Sequence, residues 1–110
     1  MKELMEQSGK HLLVRVPREL DHHTADKIRR QADYALTRKE IQSLVFDFTE
    51  TVFCDSSGIG MLVGRYKVIH ALGGEMRAVH VNSQVYRILQ MSGMPRLFPV
   101  CRDESTEQID

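Results

Sequence analysis

A chain of 110 residues in which 15 basic side chains balance 15 acidic ones has no net field to draw it to nucleic acid or to an anionic membrane surface, so any partner must be recognised locally. At this length folding removes roughly 65% of the unfolded chain's surface from water, and one domain over residues 1–110 with one core is expected. The two cysteines form no CxxC pair or disulfide framework, no apolar run approaches the roughly 20 residues of a membrane span, and no signal-like segment opens the chain, all of which point to reduced thiols in a cytoplasmic protein.

Leu4–Gln7 and His11–Val16 read as two strands joined through Ser8-Gly9-Lys10 into a hairpin, with Leu12, Val14 and Val16 on one face. From about Thr24 to Arg38, Ala25, Ile28, Ala32, Ala35 and Leu36 recur at helical spacing; Asp21 stands ahead as a cap, and Arg38 and Lys39 suit the C-terminal end of the helix dipole. Leu44-Val45-Phe46-Asp47-Phe48 is apolar almost without interruption, which predicts a central strand covered by helices on both faces.

A second helix is expected from Ser57 to Leu72, with Ile59, Leu62, Val63, Tyr66 and Ile69 as its stripe and Gly73-Gly74 as its stop. Glu75–Val81 reads as a strand, and Asn82 or Ser83 caps a third helix that carries Val85, Ile88 and Leu89 and ends at Gly93. Leu97–Val100 reads as a last strand, kept at a sheet edge because Pro99 has no N–H for a ladder, and the polar tail from Arg102 to Asp110 is expected to fray. The sum is an α/β fold: an N-terminal hairpin, then alternating helix and strand units, giving a mixed sheet of four to five strands flanked by helices.

The most informative stretch is Phe53-Cys54-Asp55-Ser56-Ser57-Gly58-Ile59-Gly60, which runs from an apolar strand region into a helix start. The first N–H groups of a helix lack intrahelical partners and carry about half a positive charge, so a phosphate added there is locally well placed. Spacing alone favours a simpler reading, with Ser56 capping the helix and Gly58, Gly60 and Gly64 allowing close approach to a neighbour. A nucleophile elbow is disfavoured because the first glycine of Gly-x-Ser-x-Gly is missing, and the glycines lack Walker spacing.

Glu19-Leu20-Asp21-His22-His23-Thr24-Ala25 packs two acids beside two imidazoles. Adjacent histidines do not share one face of a regular element and no third ligand is evident, so a solvated capping loop is favoured over a metal site, with carboxylates free to meet an arginine of a partner. Arg15, Arg18, Arg29, Arg30, Arg65 and Lys67 read as solvated faces that balance the acids.

Those two segments, with Gly64-Arg65-Tyr66-Lys67, Gly73-Gly74-Glu75-Met76 and Met91-Ser92-Gly93, resemble the anti-sigma factor antagonists of the STAS domain family over nearly the whole chain. The resemblance implies a STAS-type sheet and a regulatory cycle in place of a catalytic or metal site. Ser56 is then the phosphate acceptor, and Glu19, Asp21, Asp55, Ser57, Gly58 and Ile59 form the partner surface. It further implies that the unphosphorylated form binds an anti-sigma factor with serine kinase activity and frees a sigma factor of the sporulation type. The phosphate comes from ATP bound to that kinase, with no cofactor on this chain, and a serine phosphatase resets the cycle. Two alternatives stand beside this: a STAS scaffold subunit of a stress-sensing or lipid-transport complex, and a small serine esterase using Ser56.

Overall fold

The computed structural model describes residues 4–38 and 40–103. Strands β1 (Met5–Ser8) and β2 (His11–Arg15) form the expected hairpin in antiparallel register, Ser8 opposite His11. Gly9 turns it at φ 59°, a left-handed value that a two-residue hairpin turn requires and that side chains resist. The chain then passes through a two-residue strand, β3 (Glu19–Leu20), into α1 (His22–Arg38) and β4 (Ser43–Asp47). A second two-residue strand, β5 (Phe53–Cys54), leads into α2 (Ser56–Ala71), followed by β6 (Glu75–Val81), α3 (Ser83–Met91), a single 3-10 turn at Met94–Arg96 and β7 (Val100–Arg102).

The main sheet has the order β1-β2-β4-β6-β7, parallel except at the hairpin, while β3 and β5 pair with each other in a separate parallel ribbon. Alternation along the strands sends Leu12 and Val14, Leu44 and Phe46, and Met76 and Ala78 into one buried cluster with Ile28 and Leu36 of α1, Leu62 and Ile69 of α2, and Val85 and Leu89 of α3. Burying each such large side chain contributes about 1.5–3 kcal/mol against chain entropy.

The expectation that β4 is covered on both faces is not met: Leu44 and Phe46 are fully buried, but Ser43, Val45 and Asp47 on the other face remain half-exposed, as do Leu13 and Arg15 beside them. A run of apolar residues reports hydrophobicity without reporting which face a helix covers.

The last strand also lies elsewhere. Leu97 closes the 3-10 turn, Phe98 is buried in the core and β7 begins only at Val100; Pro99 still marks an edge strand, its carbonyl accepting the Ala78 N–H at 2.9 Å. Arg102, expected in the frayed tail, belongs to β7; from residue 104 onward that tail lies outside the described residues, as does Lys39. Gly73, at φ 82°, supplies the left-handed stop after α2.

Candidate functional site

The site is assembled by the small ribbon that local sequence does not announce. Glu19 pairs with Phe53 and Leu20 with Cys54, and the register is closed at both ends by Val52 N–H on the Arg18 carbonyl (2.8 Å) and Asp55 N–H on the Leu20 carbonyl (3.0 Å). Two segments 34 residues apart are thereby locked side by side, so the chain just before α1 and the chain just before α2 present their acids and serines together.

Each helix start is capped by an aspartate. Asp21 Oδ1 accepts the N–H groups of His23 and Thr24, both at 3.0 Å, while the Thr24 hydroxyl accepts the Asp21 N–H at 3.0 Å and donates to the Glu19 carbonyl at 2.8 Å. The Thr24 N–H bond is the main reason that the Asp21 carboxyl lies below its usual range. His22 and His23, expected in the loop, sit in the first turn of α1, and no group of three His, Cys, Asp or Glu side chains suited to a metal occurs among the described residues.

In α2 the cap is Asp55, whose Oδ1 accepts the Gly58 N–H at 3.0 Å. The expectation that Ser56 caps is therefore corrected. Ser56 is the first helical residue, exposed, and its hydroxyl is not drawn into the cap, because a cap must lie one residue earlier in extended conformation, where Asp55 is found at φ −99° and ψ −174°. Ser57, Asp21, Asp55 and Ile59 are half-buried and Glu19 is exposed. Exposed Phe53 (45%) adds an aromatic face beside Glu19.

Gly58 lies beneath this surface. A Cβ there would meet Leu20 Cγ at 2.7 Å and Cys54 Sγ at 2.9 Å, so the absence of a side chain lets α2 seat against both strands of the ribbon. The close-approach expectation fails for Gly60 and Gly64, which face open space. Cys54 is buried, and burial, aided by the neighbouring Asp55 charge, pushes its thiol up to about 12, which keeps it protonated and unreactive.

Three further residues support the site. Thr51, fully buried, donates its hydroxyl to the carbonyls of Val16 (3.1 Å) and Pro17 (3.0 Å), and Asn82 donates to the Thr51 carbonyl at 2.8 Å while its Oδ1 caps α3 at Val85 N–H. Arg65, read from sequence as solvated, is 7% exposed and sits between α1 and α2 with Nε 2.9 Å from Asp33 Oδ1. Its position three residues after Leu62 and four before Ile69 is the signal for burial, since both belong to the buried stripe.

A STAS domain family model matches residues 4–107. The chain belongs to the STAS family. Among its relatives, an anti-sigma F factor antagonist of Paenibacillus polymyxa is 44% identical over 93 residues, covering 84% of this chain and 80% of the relative. In three dimensions this STAS domain matches the anti-sigma factor antagonist SpoIIAA in its unphosphorylated form with a TM-score of 0.80 at 25% identity, over 92% of this chain and 89% of the other. It matches the fold of the Bacillus cell fate determinant SpoIIAA in its phosphorylated form with a TM-score of 0.73 at 23% identity, over 96% and 97%. The mixed five-stranded sheet with three helices is thus the STAS fold.

Proposed function

We propose that this STAS domain is an anti-sigma factor antagonist whose unphosphorylated form binds an anti-sigma factor with serine kinase activity, freeing a sigma factor in sporulation-type transcription control, and that phosphate on Ser56 switches it off. The observation that carries this reading is the exposed Ser56 at the first position of α2, with capping delegated to Asp55 and the acidic Glu19–Asp21 segment held alongside by the ribbon. The character of the 44% identical relative favours the same role, and the kinase's ATP is the phosphate source, so that this chain needs no cofactor.

The physical basis is the different response of helix and interface to charge. A phosphate adds about −1.5 to −2 charges and three acceptor oxygens. The helix start tolerates this, because the N–H groups of the first turn and the helix dipole favour an anion. A partner docked over Glu19, Asp21, Asp55, Ser57 and Ile59 does not: the new charge sits one residue from Asp55 and must be desolvated. A cost of about 3–4 kcal/mol to the complex lowers affinity a few hundred-fold without refolding either partner. Exposed Phe53 offers such a partner an aromatic anchor, the kind of residue that dominates interface energy. A serine phosphatase, acting in the cytoplasm with the kinase, restores the binding form.

The test is incubation with the anti-sigma kinase and ATP, peptide mass mapping of the product, and calorimetric binding of both forms to the kinase. Phosphate on Ser56 and a loss of affinity of about a hundredfold or more are expected. Phosphate on Ser57, or equal affinity of the two forms, overturns the reading.

A further inference from the structure

The main sheet is parallel from β2 to β7, yet its helices cover one face only, whereas parallel sheets occur almost only where both faces are covered. Strand register lays out the open face in rows. One row runs Glu6, Leu13, Val45, Arg77 across β1, β2, β4 and β6, and the next runs Arg15, Asp47, Val79 across β2, β4 and β6. Leu13, Val45 and Val79 thus form an apolar strip over three adjacent strands, and each of them is half-buried where its neighbours on the other face are buried in the core.

The charges around this strip are placed at its two ends. Arg77 is exposed and finds no acceptor among the described residues, while Glu6, at the other end of the same row, meets Arg15 at 2.6 Å and keeps a side chain that is 60% exposed. A second copy can face the strip about a two-fold axis in two simple ways. An axis across the strands sets Glu6 on Glu6 and Arg77 on Arg77, which repel. An axis along the strands, between β2 and β4, reverses the row: Glu6 stands opposite Arg77 of the second copy, Leu13 opposite Val45, and in the next row Arg15 opposite Asp47, every contact occurring twice. The charge pattern therefore complements itself in one arrangement and opposes the other.

We propose that the open face of the sheet is a self-association surface, on which a second copy of this chain packs sheet to sheet about an axis parallel to the strands, with Leu13 and Val45 at the centre and Glu6–Arg77 pairs at both rims. Sheets stacked in this way lie about 10 Å apart, a gap that Leu and Val fill and that Glu and Arg reach across. A face four strands wide and three same-face residues long measures about 19 by 20 Å, roughly 400 Å² when flat. That lies below the roughly 800 Å² per partner of a standard interface, so the dimer is weak and concentration-dependent, with a Kd on the order of 100 μM. The strands of both copies run the same way along the axis, and α2, which leads back to the start of β6, begins at their C-terminal end. Both Ser56 residues therefore lie at one end of the dimer; that it offers two switch sites side by side is the only consequence that rests on the function proposed above.

The experiment is sedimentation equilibrium of the full chain from about 10 μM to about 1 mM, where a monomer–dimer equilibrium with the Kd above is expected. Arg77→Glu and Glu6→Arg, made in separate chains, each set like charges against each other at both rims and should each weaken dimerisation about tenfold or more. An equal mixture of the two variant chains restores opposite charges at both rims, and its association should return to within about threefold of the parent. Recovery on mixing also rules out misfolding as the cause of the losses. A chain that stays monomeric at the highest concentration overturns the proposal and leaves the face to a different protein or to none. Dimers that ignore both substitutions, or variants that do not recover when mixed, place the contact elsewhere and overturn it equally. No step uses the anti-sigma factor, so failure here leaves the Ser56 switch standing.

Discussion

The starts of α2 and α3 share a local plan yet differ in what surrounds them. Asp55-Ser56-Ser57-Gly58 and Asn82-Ser83-Gln84-Val85 each place an extended Asx cap before an exposed serine at the first helical position, with the cap oxygen accepting the N–H three residues on. In α3 the residue at that third position is Val85, fully buried in the core, and the cap's amide is committed to the Thr51 carbonyl; Ser83 shares a cleft with Arg87 and Arg102. In α2 the same position is Gly58, pressed on Leu20 and Cys54, and the neighbours of Ser56 are acidic. A serine at a helix start is therefore a common structural device, and the proposed switch role of Ser56 rests on its surroundings.

The largest contrast is expected from introducing charge at the two serines. Ser56→Asp should weaken the complex with the anti-sigma factor about a hundredfold, whereas Ser83→Asp should leave it within about twofold, measured by calorimetry. Both helix starts favour an anion, so neither variant should lose folding stability, and the interface effect stands alone. Equal loss from both would erase the distinction drawn here.

Next in size is the residue beneath the serine. Gly58→Val, which gives α2 the side chain that α3 carries, should cost about 2–3 kcal/mol in urea unfolding, because its Cβ falls within 2.7 Å of Leu20 Cγ. A neutral result would mean that the ribbon yields easily and does not hold the two segments rigidly. Comparing the caps comes third: Asn82→Ala should cost about 2 kcal/mol and Asp55→Ala about 1 kcal/mol, since only Asn82 also serves the Thr51 carbonyl.

The smallest effect separates a carboxylate cap from an amide one. The folded Asp21 carboxyl titrates below the ordinary aspartate value of 3.8, so its capping contribution is present above that value and is lost as pH falls through the lower folded one. An NMR titration of Asp21 should give a midpoint below 3.8, with the α1 start loosening in the same acid range, while the Asn82 cap of α3 does not titrate. A midpoint at or above 3.8 would remove the cap's charge from the account.

Much of this was legible from local pattern, because hairpin turns, helix caps and helical stripes involve residues within a few positions of one another. Gly9, Asp21, Gly73 and the strand Glu75–Val81 stand where expected. The cap of α2 was misassigned to Ser56: a run of Asp-Ser-Ser offers three side chains competent to cap, and only the backbone of Asp55 shows which one does.

What the sequence determined by itself was the N-terminal hairpin, the succession of three helices with the strands before and after the second, and the family motif, since short-range sterics and hydrophobic period set these wherever the chain goes. Tertiary structure alone decided that Glu19 pairs with Phe53, that Gly58 must be bare against Leu20, that β4 is covered on one face, and that Arg65 is buried beside Asp33. Each depends on a contact between segments far apart along the chain, and the free energy of such a contact exists only once both surfaces have been brought together and water has left between them.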